Sequence, residues 1–343
     1  MQDFSQPLLC WYRGAKRTLP WRDSPTPYGV WVSEIMLQQT RVAAVVRYYE
    51  RWMRALPTVA DLADASTDLL YKLWEGLGYY SRARNLQLAA RQIMERYGGE
   101  LPRTVEELRT LSGVGDYTAG AIASIAYGVP TPAVDGNVLR VLARLTGDDT
   151  DILSAEARTR AAERLAPIIP AEQAADFTQA MFELGALVCT PKAPACDTCP
   201  LAGQCYALAH DAVDTLPVRV VKTKRKYKDV TVLVLATSAG YVLTIPRAKG
   251  LLAGTYGLPC VEAALEADDV PAACTEWGVF AHHVTPLCNA KHVFTHVTWC
   301  MRGYLVQGVL DAPVEGTIAA TADEIAHLYA IPAAFGAYKS YLV

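Results

Sequence analysis

The chain has 343 residues, of which 52% are hydrophobic and 20% charged, and its formal net charge is −3. That balance excludes a disordered chain and leaves material for two or three domains with real cores. It also excludes overall basicity as a reason to bind nucleic acid, so any such contact has to come from a local patch.

The opening MQDFSQPLLCWYRGAK lacks the apolar core of a signal peptide, and no apolar run reaches membrane-spanning length. A soluble intracellular protein with no membrane partner is therefore expected. Residues 1–20 read as a helix ending in a basic turn at Lys16 and Arg17. One long helix is predicted from Tyr28 onward, because Trp31, Ile35, Val42, Tyr49, Trp52 and Leu56 recur at near-helical spacing. Glu34 sits at the edge of that stripe, with Gln38 one turn further along the same face. An acid so placed is either a partner for the helix dipole or a carboxyl group held in a dry pocket. Short helices are expected over 59–65 and 67–74. Then comes Gly76-Leu77-Gly78-Tyr79-Tyr80-Ser81, followed by a helix carrying Arg82, Arg84, Arg91 and Arg96. Adjacent tyrosines on a glycine loop beside arginines suit base stacking and phosphate contact, and equally an exposed loop on a solvated helix.

The rest of the chain is organised around residues 111–137. Just before them, Thr104-Val105-Glu106-Glu107 is a T-x-x-E capping box opening a short helix. Leu111-Ser112-Gly113-Val114-Gly115 is a tight hairpin whose two glycines permit positive φ and the close approach of another backbone. A small-residue helix follows from about Asp116 to Tyr127, stopped by Gly128 and Pro130. Its free N–H groups can face a phosphate. Val134-Asp135-Gly136-Asn137 then sets an acid at the start of the next helix, Val138 to Leu145, where Asp is also an ordinary N-cap. Further helices are expected near 155–165 and 172–188, and nothing before 188 reads as strand.

Of nine cysteines, Cys189, Cys196, Cys199 and Cys205 crowd into C-x6-C-x2-C-x5-C, while the other five are scattered. Four thiolates so close can enclose one metal centre. Structural zinc sites pair two short knuckles across a longer gap, so the compact, unequal spacing is nearer a cubane iron–sulfur cluster, with zinc the other reading. From about Leu216 the composition changes. Lys222, Lys224, Arg225, Lys226 and Lys228 form a basic run, read as a solvated linker with a supplementary DNA contact as the alternative. Beyond it the period becomes two. Residues 230–235, a turn at Ser238-Ala239-Gly240 and residues 241–245 make a hairpin. Another strand-like run spans 292–306, and a capped helix begins at Thr321-Ala322-Asp323-Glu324. This part is a small α+β domain.

Four of these motifs together resemble the adenine DNA glycosylases of the MutY type, in the helix–hairpin–helix glycosylase superfamily that also contains endonuclease III. They are Trp31-Val32-Ser33-Glu34 continuing into Met36-Leu37-Gln38-Gln39-Thr40, the hairpin at 111–115, Val134-Asp135-Gly136-Asn137-Val138, and the four cysteines. The C-terminal part resembles the family's Nudix-like domain that reads 8-oxoguanine, through Gly250-Leu251-Leu252-Ala253-Gly254, Gly257-Leu258-Pro259 and Phe294-Thr295-His296. The resemblance implies a multidomain chain. Residues 1–215 would be an all-α catalytic domain, with a six-helix barrel at about 22–130, the helix–hairpin–helix at 104–127, and an iron–sulfur subdomain from 1–21 and 131–215. A basic linker, 216–228, would lead to the Nudix-like domain, 229–343.

The activity implied is removal of adenine mispaired with 8-oxoguanine or guanine in duplex DNA, by a monomer carrying a [4Fe-4S] cluster on Cys189, Cys196, Cys199 and Cys205. The protein would be cytoplasmic and nucleoid-associated, or nuclear in a eukaryote. Adenine is a poor leaving group and should be protonated as it departs, so Glu34, with its pKa raised in an apolar pocket, is the expected acid. Asp135 is expected to stabilise the oxocarbenium-like sugar and Asn137 to support it, much as two carboxyls divide the work in glycosidases. The target must be flipped out of the stack. By match to the family, Leu37, Gln39 and Tyr79 stand at the vacated stack, Gly113 and Gly115 at the DNA backbone, and Arg22 and Gln179 near the adenine. In lyase-competent relatives the residue two after Gly-Val-Gly is a lysine. Here it is Tyr117, whose phenol forms no Schiff base, so a monofunctional enzyme is expected. The family's Phe-Ser-His loop reads Phe294-Thr295-His296, which keeps the hydroxyl. No Nudix box occurs in 261–290, so the C-terminal domain should recognise without hydrolysing nucleotides. The alternatives are an endonuclease III-like glycosylase/lyase for oxidised pyrimidines and, from another class, a non-catalytic lesion binder or an electron carrier.

Overall fold

The computed structural model describes residues 3–220, 225–247, 250–312 and 314–342; Lys222 and Lys224 of the expected linker lie outside the described residues. Packing divides the chain into two compact units, Met1–Asp64 with Asn85–Val221, and Ala65–Arg84 with Lys222–Val343. Among the described residues no helix is long and apolar enough to cross a membrane.

The first unit is helical. It opens with α1 (Ser5–Ala15) and α2 (Pro20–Asp23), whose proline takes the first helical position, where no N–H is needed. The single long helix expected from Tyr28 is in fact two, α3 (Pro27–Leu37) and α4 (Val42–Ala55). The break falls at Gln39, whose φ of 56° is left-handed and cannot continue a right-handed helix. The apolar stripe runs on across the break, so periodicity alone joins the two. Residues 28–36 of α3 are all buried, which makes this helix an inner wall rather than an amphipathic face.

After α5 (Val59–Asp64), α6 (Thr67–Trp74) belongs to the second unit, and α7 (Ser81–Tyr97) begins there and runs back into the first. Next come α8 (Val105–Leu108) and α9 (Asp116–Tyr127). Thr104 caps α8 by accepting the Glu107 N–H at 3.3 Å, but its hydroxyl donates to the Glu107 carboxylate at 2.8 Å. The carboxylate thus takes the hydroxyl proton rather than the backbone N–H of the expected capping box. Gly128 ends α9 in the left-handed region. A Cβ at Gly120 would stand 2.2 Å from the Pro132 carbonyl, so only glycine lets α9 pack against the segment leading to Asp135. The unit closes with α10 (Gly136–Thr146), α11 (Ala155–Leu165), α12 (Ala174–Glu183), a π-helical turn (Leu184–Val188) and α13 (Tyr206–Ala209). Leu8 and Tyr12 of α1, Val138 and Leu142 of α10, and Phe177 and Met181 of α12 share one core. Each such buried side chain contributes roughly 1.5–3 kcal/mol.

The second unit is built on a sheet of β1 (Lys226–Thr237), β2 (Gly240–Thr244), β3 (Cys260–Val261), β4 (Val279–Pro286), β5 (Ala290–Val293), β6 (Val297–Leu310) and β7 (Thr317–Ala320). Strand order is β4-β6-β1-β2-β7, with β3 on β1 and β5 on β6. Two short helices, α14 (Val270–Cys274) and α15 (Ala322–His327), flank it. Lys226 and Lys228, read from composition as linker, are strand residues. β1 and β6 run parallel, Leu233 opposite Tyr304. Residues 230–235 do not alternate in burial as a period of two implies. Val230, Val232 and Val234 face one core and Leu233 and Leu235 the other, so both faces are covered. The run 292–306 is two strands, turned at Phe294-Thr295-His296, where the Phe294 N–H reaches Val297 O at 2.8 Å. Thr321 and Glu324 form a full capping box on α15. The segment Ala65–Arg84, expected within the helical domain, packs with this unit. Lys72 Nζ donates to Ile325 O at 2.9 Å, and Glu75 accepts Lys339 Nζ at 2.6 Å and the Ile331 N–H at 3.0 Å.

Candidate active site

Three helices bring the expected acids to one place. α3 carries Glu34, which is 4% exposed. α9 delivers Tyr117, whose hydroxyl donates to Glu34 Oε2. Asp135 is the N-cap of α10. Its Oδ1 accepts the Val138 N–H at 2.7 Å, and Asn137 Nδ2 donates to its Oδ2 at 2.9 Å. These residues line one cavity of about 450 Å³, which Arg22, Leu37, Gln39 and Gln179 also line.

The two acids sit in unlike surroundings. Burial lifts the Glu34 carboxyl from 4.5 to about 7, against the Tyr117 hydroxyl and the Arg22 charge, which pull it down. Burial also raises Asp135, but the Val138 and Asn137 hydrogen bonds and the Arg140 charge all favour its ionised form. Glu34 receives one hydroxyl proton, whereas Asp135 has a helix N-terminus and an amide. Glu34 is thus the acid prepared to hold a proton at neutral pH, and Asp135 the one supplied with donors for a carboxylate. Burial holds the Tyr117 phenol well above its ordinary pKa, so it stays protonated. Behind Asp135, Arg140 Nη2 donates at 2.8 Å to Asn137 Oδ1 and to Gly185 O, and its Nε donates to Cys189 O at 2.8 Å.

Sequence reasoning missed Glu183. It is fully buried at the end of α12 and lines the same cavity. Arg17 Nε and Nη2 reach it at 2.8 and 3.0 Å, and Arg22 Nη1 pairs with it as well. The available signal was a lone acid inside the apolar run Met181-Phe182-Glu183-Leu184, which calls for partner cations or a retained proton.

The hairpin glycines differ. Gly113 has φ 76°, and a Cβ there would lie 2.7 Å from Asn85 Cβ. Gly115, expected to use positive φ too, has φ −97° and ψ −176°, ordinary extended backbone at the N-cap of α9, with nothing within 4 Å of a built Cβ. Gln39 and Tyr79 both adopt left-handed backbone, φ 56° and 49°, and so project from their turns. Tyr79, in the second unit, is half exposed. Its Oη lies 3.3 Å from Thr295 Oγ1, and the Arg82 guanidinium sits 5.8 Å from its ring centre. Phe294 packs its ring 5.1 Å from Trp299, and the His296 carbonyl accepts the Lys226 N–H at 3.2 Å.

Cys189, Cys196, Cys199 and Cys205 all line one small cavity. Burial, and then the proximity of the other thiols, raises Cys196 and Cys199. Arg144 Nη1 stands 3.5 Å from Cys189 Sγ. Among the described residues no three His, Cys, Asp or Glu side chains are close enough to hold a single metal ion. Four thiols lining one cavity are the kind of donor set that iron–sulfur clusters and zinc both take.

Residues 32–167 match the family described as HhH-GPD superfamily base excision DNA repair protein. The adenine DNA glycosylase of Rattus norvegicus is 48% identical over 213 residues, covering 60% of this chain and 41% of that protein. That of Schizosaccharomyces pombe is 34% identical over 322 residues, 76% of this chain and 70% of that protein. Among solved structures, a non-covalent endonuclease III–DNA complex superposes with a TM-score of 0.52 and 28% identity, over 60% of this chain and 94% of that one. The chain thus spans 41% of the length of the rat relative and 70% of the fission-yeast one. With 34% identity sustained over most of both chains, it belongs to the adenine DNA glycosylases, within the HhH-GPD superfamily of base excision repair proteins.

Proposed function

We propose that this chain is a monofunctional DNA N-glycosylase that removes adenine opposite 8-oxoguanine or guanine from duplex DNA, acting as a monomer where the cell keeps its DNA. The observation that carries the reading is the pairing, around one cavity, of a buried proton-holding Glu34 with a hydrogen-bonded Asp135. A nucleotide extruded from the duplex, with Leu37 and Gln39 filling the gap, presents its base to that cavity. Glu34 gives its proton to a ring nitrogen of the adenine. The bond from the sugar to the base breaks, and its electron pair leaves with the neutral base. Asp135 faces the resulting cationic sugar until water adds to it, and the proton that the water gives up restores the Glu34 carboxyl. Tyr117 steers Glu34 and, lacking an amine, forms no imine with the sugar, which disfavours the endonuclease III-like lyase reading.

Cys189, Cys196, Cys199 and Cys205 would hold a [4Fe-4S] cluster, a redox-capable group whose service here is to fold the 189–205 loop. Gly113 and Gly115 would let a phosphate backbone approach the N-terminus of α9. Tyr79, Phe294, Thr295 and His296 would read the 8-oxoguanine.

The deciding experiment is a single-turnover assay on duplexes with adenine opposite 8-oxoguanine, guanine or thymine. Wild type should release adenine from the first two. Glu34→Gln and Asp135→Asn should each slow release by at least about a hundredfold, the scale of a lost general acid. Undiminished release by a folded Glu34→Gln variant overturns the reading.

A further inference from the structure

Behind the active-site cavity lies a second one, of about 270 Å³. The two share five walls: Arg17, Trp21, Arg22, Ile125 and Gln179. Leu37, Gln38, Gln39 and Thr40 line only the first cavity. The second is edged instead by exposed Thr18, Asp23, Pro25 and Asp176, so it reaches solvent past residues that the first does not touch. A cavity of roughly 150 Å³ accommodates benzene, so this one has room for a purine base. Its walls carry hydrogen-bond donors and acceptors that a purine edge can use, the Tyr12 hydroxyl, Arg22, the Asp176 carboxylate and Gln179.

The partition is uneven in rigidity. Arg17 and Arg22 are both tied to buried Glu183. The Gln179 side chain, which faces both cavities, makes no hydrogen bond among the described residues. It is free to swing and to hydrogen-bond a purine on either side.

We propose that this rear chamber is an exit and holding site for the free base released by the reaction. The inference rests on the glycosylase reading. While the abasic strand occupies the front opening, adenine cannot leave that way. A second opening, gated by the unanchored Gln179 amide, lets the base depart while DNA stays bound.

The test fills the chamber from walls that do not touch the front cavity. Thr18→Trp starts from an exposed residue and so keeps the fold. Ala175→Trp comes from another element, α12, with Ala175→Ser as control. Excision is read by alkaline cleavage under single turnover, and free adenine by rapid filtration of the enzyme–DNA complex. Both tryptophan variants should excise within about twofold of wild type yet release adenine at least about tenfold more slowly, a barrier increase near 1.4 kcal/mol. Labelled adenine should also bind the preformed complex of wild type with abasic duplex, and not that of either variant. Wild-type release rates in both variants with DNA retained overturn the proposal and leave the glycosylase reading intact. Absence of excision by wild type instead removes the reading itself.

Discussion

Tyr117 donates its hydroxyl proton to Glu34, and that bond works against the burial that raises Glu34. A hydrogen bond given to a carboxylate favours the ionised form, so Tyr117 tempers how strongly Glu34 keeps its proton. With Glu34 near 7, excision should be flat below neutrality and fall as pH rises through about 7, where the acid arrives already ionised. Tyr117→Phe removes the tempering bond and keeps the ring. Its alkaline limb should move to higher pH, so at pH 8 it retains a larger share of its own maximal rate than wild type does. A rate–pH profile of both proteins checks this. An unmoved limb in Tyr117→Phe contradicts the assigned role.

The same carboxyl makes folding depend on pH. In the unfolded chain it titrates near 4.5, and in the folded one near 7. Below the first value both states are protonated and nothing is lost. Between them the unfolded chain gives up its proton while the folded one keeps it, so stability falls with rising pH, by on the order of 3 kcal/mol in full. Glu34→Gln has no such proton to lose. It should melt above wild type at pH 8, with the gap closing toward pH 5. Thermal melts at the two pH values decide the matter, and equal gaps would place the effect elsewhere.

The hairpin glycines separate a structural requirement from an interfacial one. Gly113→Ala puts a methyl against Asn85 at a left-handed position, so it should lower stability by about 1–2 kcal/mol and weaken DNA binding with it. Gly115 has ordinary dihedrals and open space above it. Serine is a preferred N-cap, so Gly115→Ser should leave the urea midpoint unchanged or slightly higher. The added side chain projects where a phosphate would approach, so affinity for duplex should still fall. Unchanged affinity in Gly115→Ser contradicts the proposed contact.

The helical architecture was legible because its signals are local, whereas Glu34 and Asp135 were singled out as a pair only through the family resemblance. Asp135 announces itself as an N-cap, Gly128 as a stop, and Thr321-Ala322-Asp323-Glu324 as a capping box. What was not legible depends on partners distant in the chain. The break at Gln39 leaves the apolar stripe intact, so only the backbone reveals it. Glu183 gains its meaning from Arg17 and Arg22, more than 150 residues earlier. β1 hides its doubly buried character behind Thr231, a polar residue satisfied by the Ala263 carbonyl at 2.7 Å. The grouping of residues 65–84 with the C-terminal unit rests on Glu75 and Lys72, whose partners lie some 250 residues on.

Thr295 and Tyr79 offer the last test, because their hydroxyls stand 3.3 Å apart on the second unit. If the Phe294–His296 turn reads 8-oxoguanine, the Thr295 hydroxyl gives up its exposed Tyr79 partner to bond a base edge. Thr295→Val keeps the shape and removes the hydroxyl. One hydrogen bond of about 1–1.5 kcal/mol then predicts a loss of up to about tenfold in preference for 8-oxoguanine over guanine opposite adenine. Excision opposite guanine should change little. Tyr79→Phe retains the ring that would stack and should alter the preference less than Thr295→Val does. Competition between the two duplexes in one reaction measures the ratio directly. An unaltered ratio in Thr295→Val would remove this turn from recognition of the lesion.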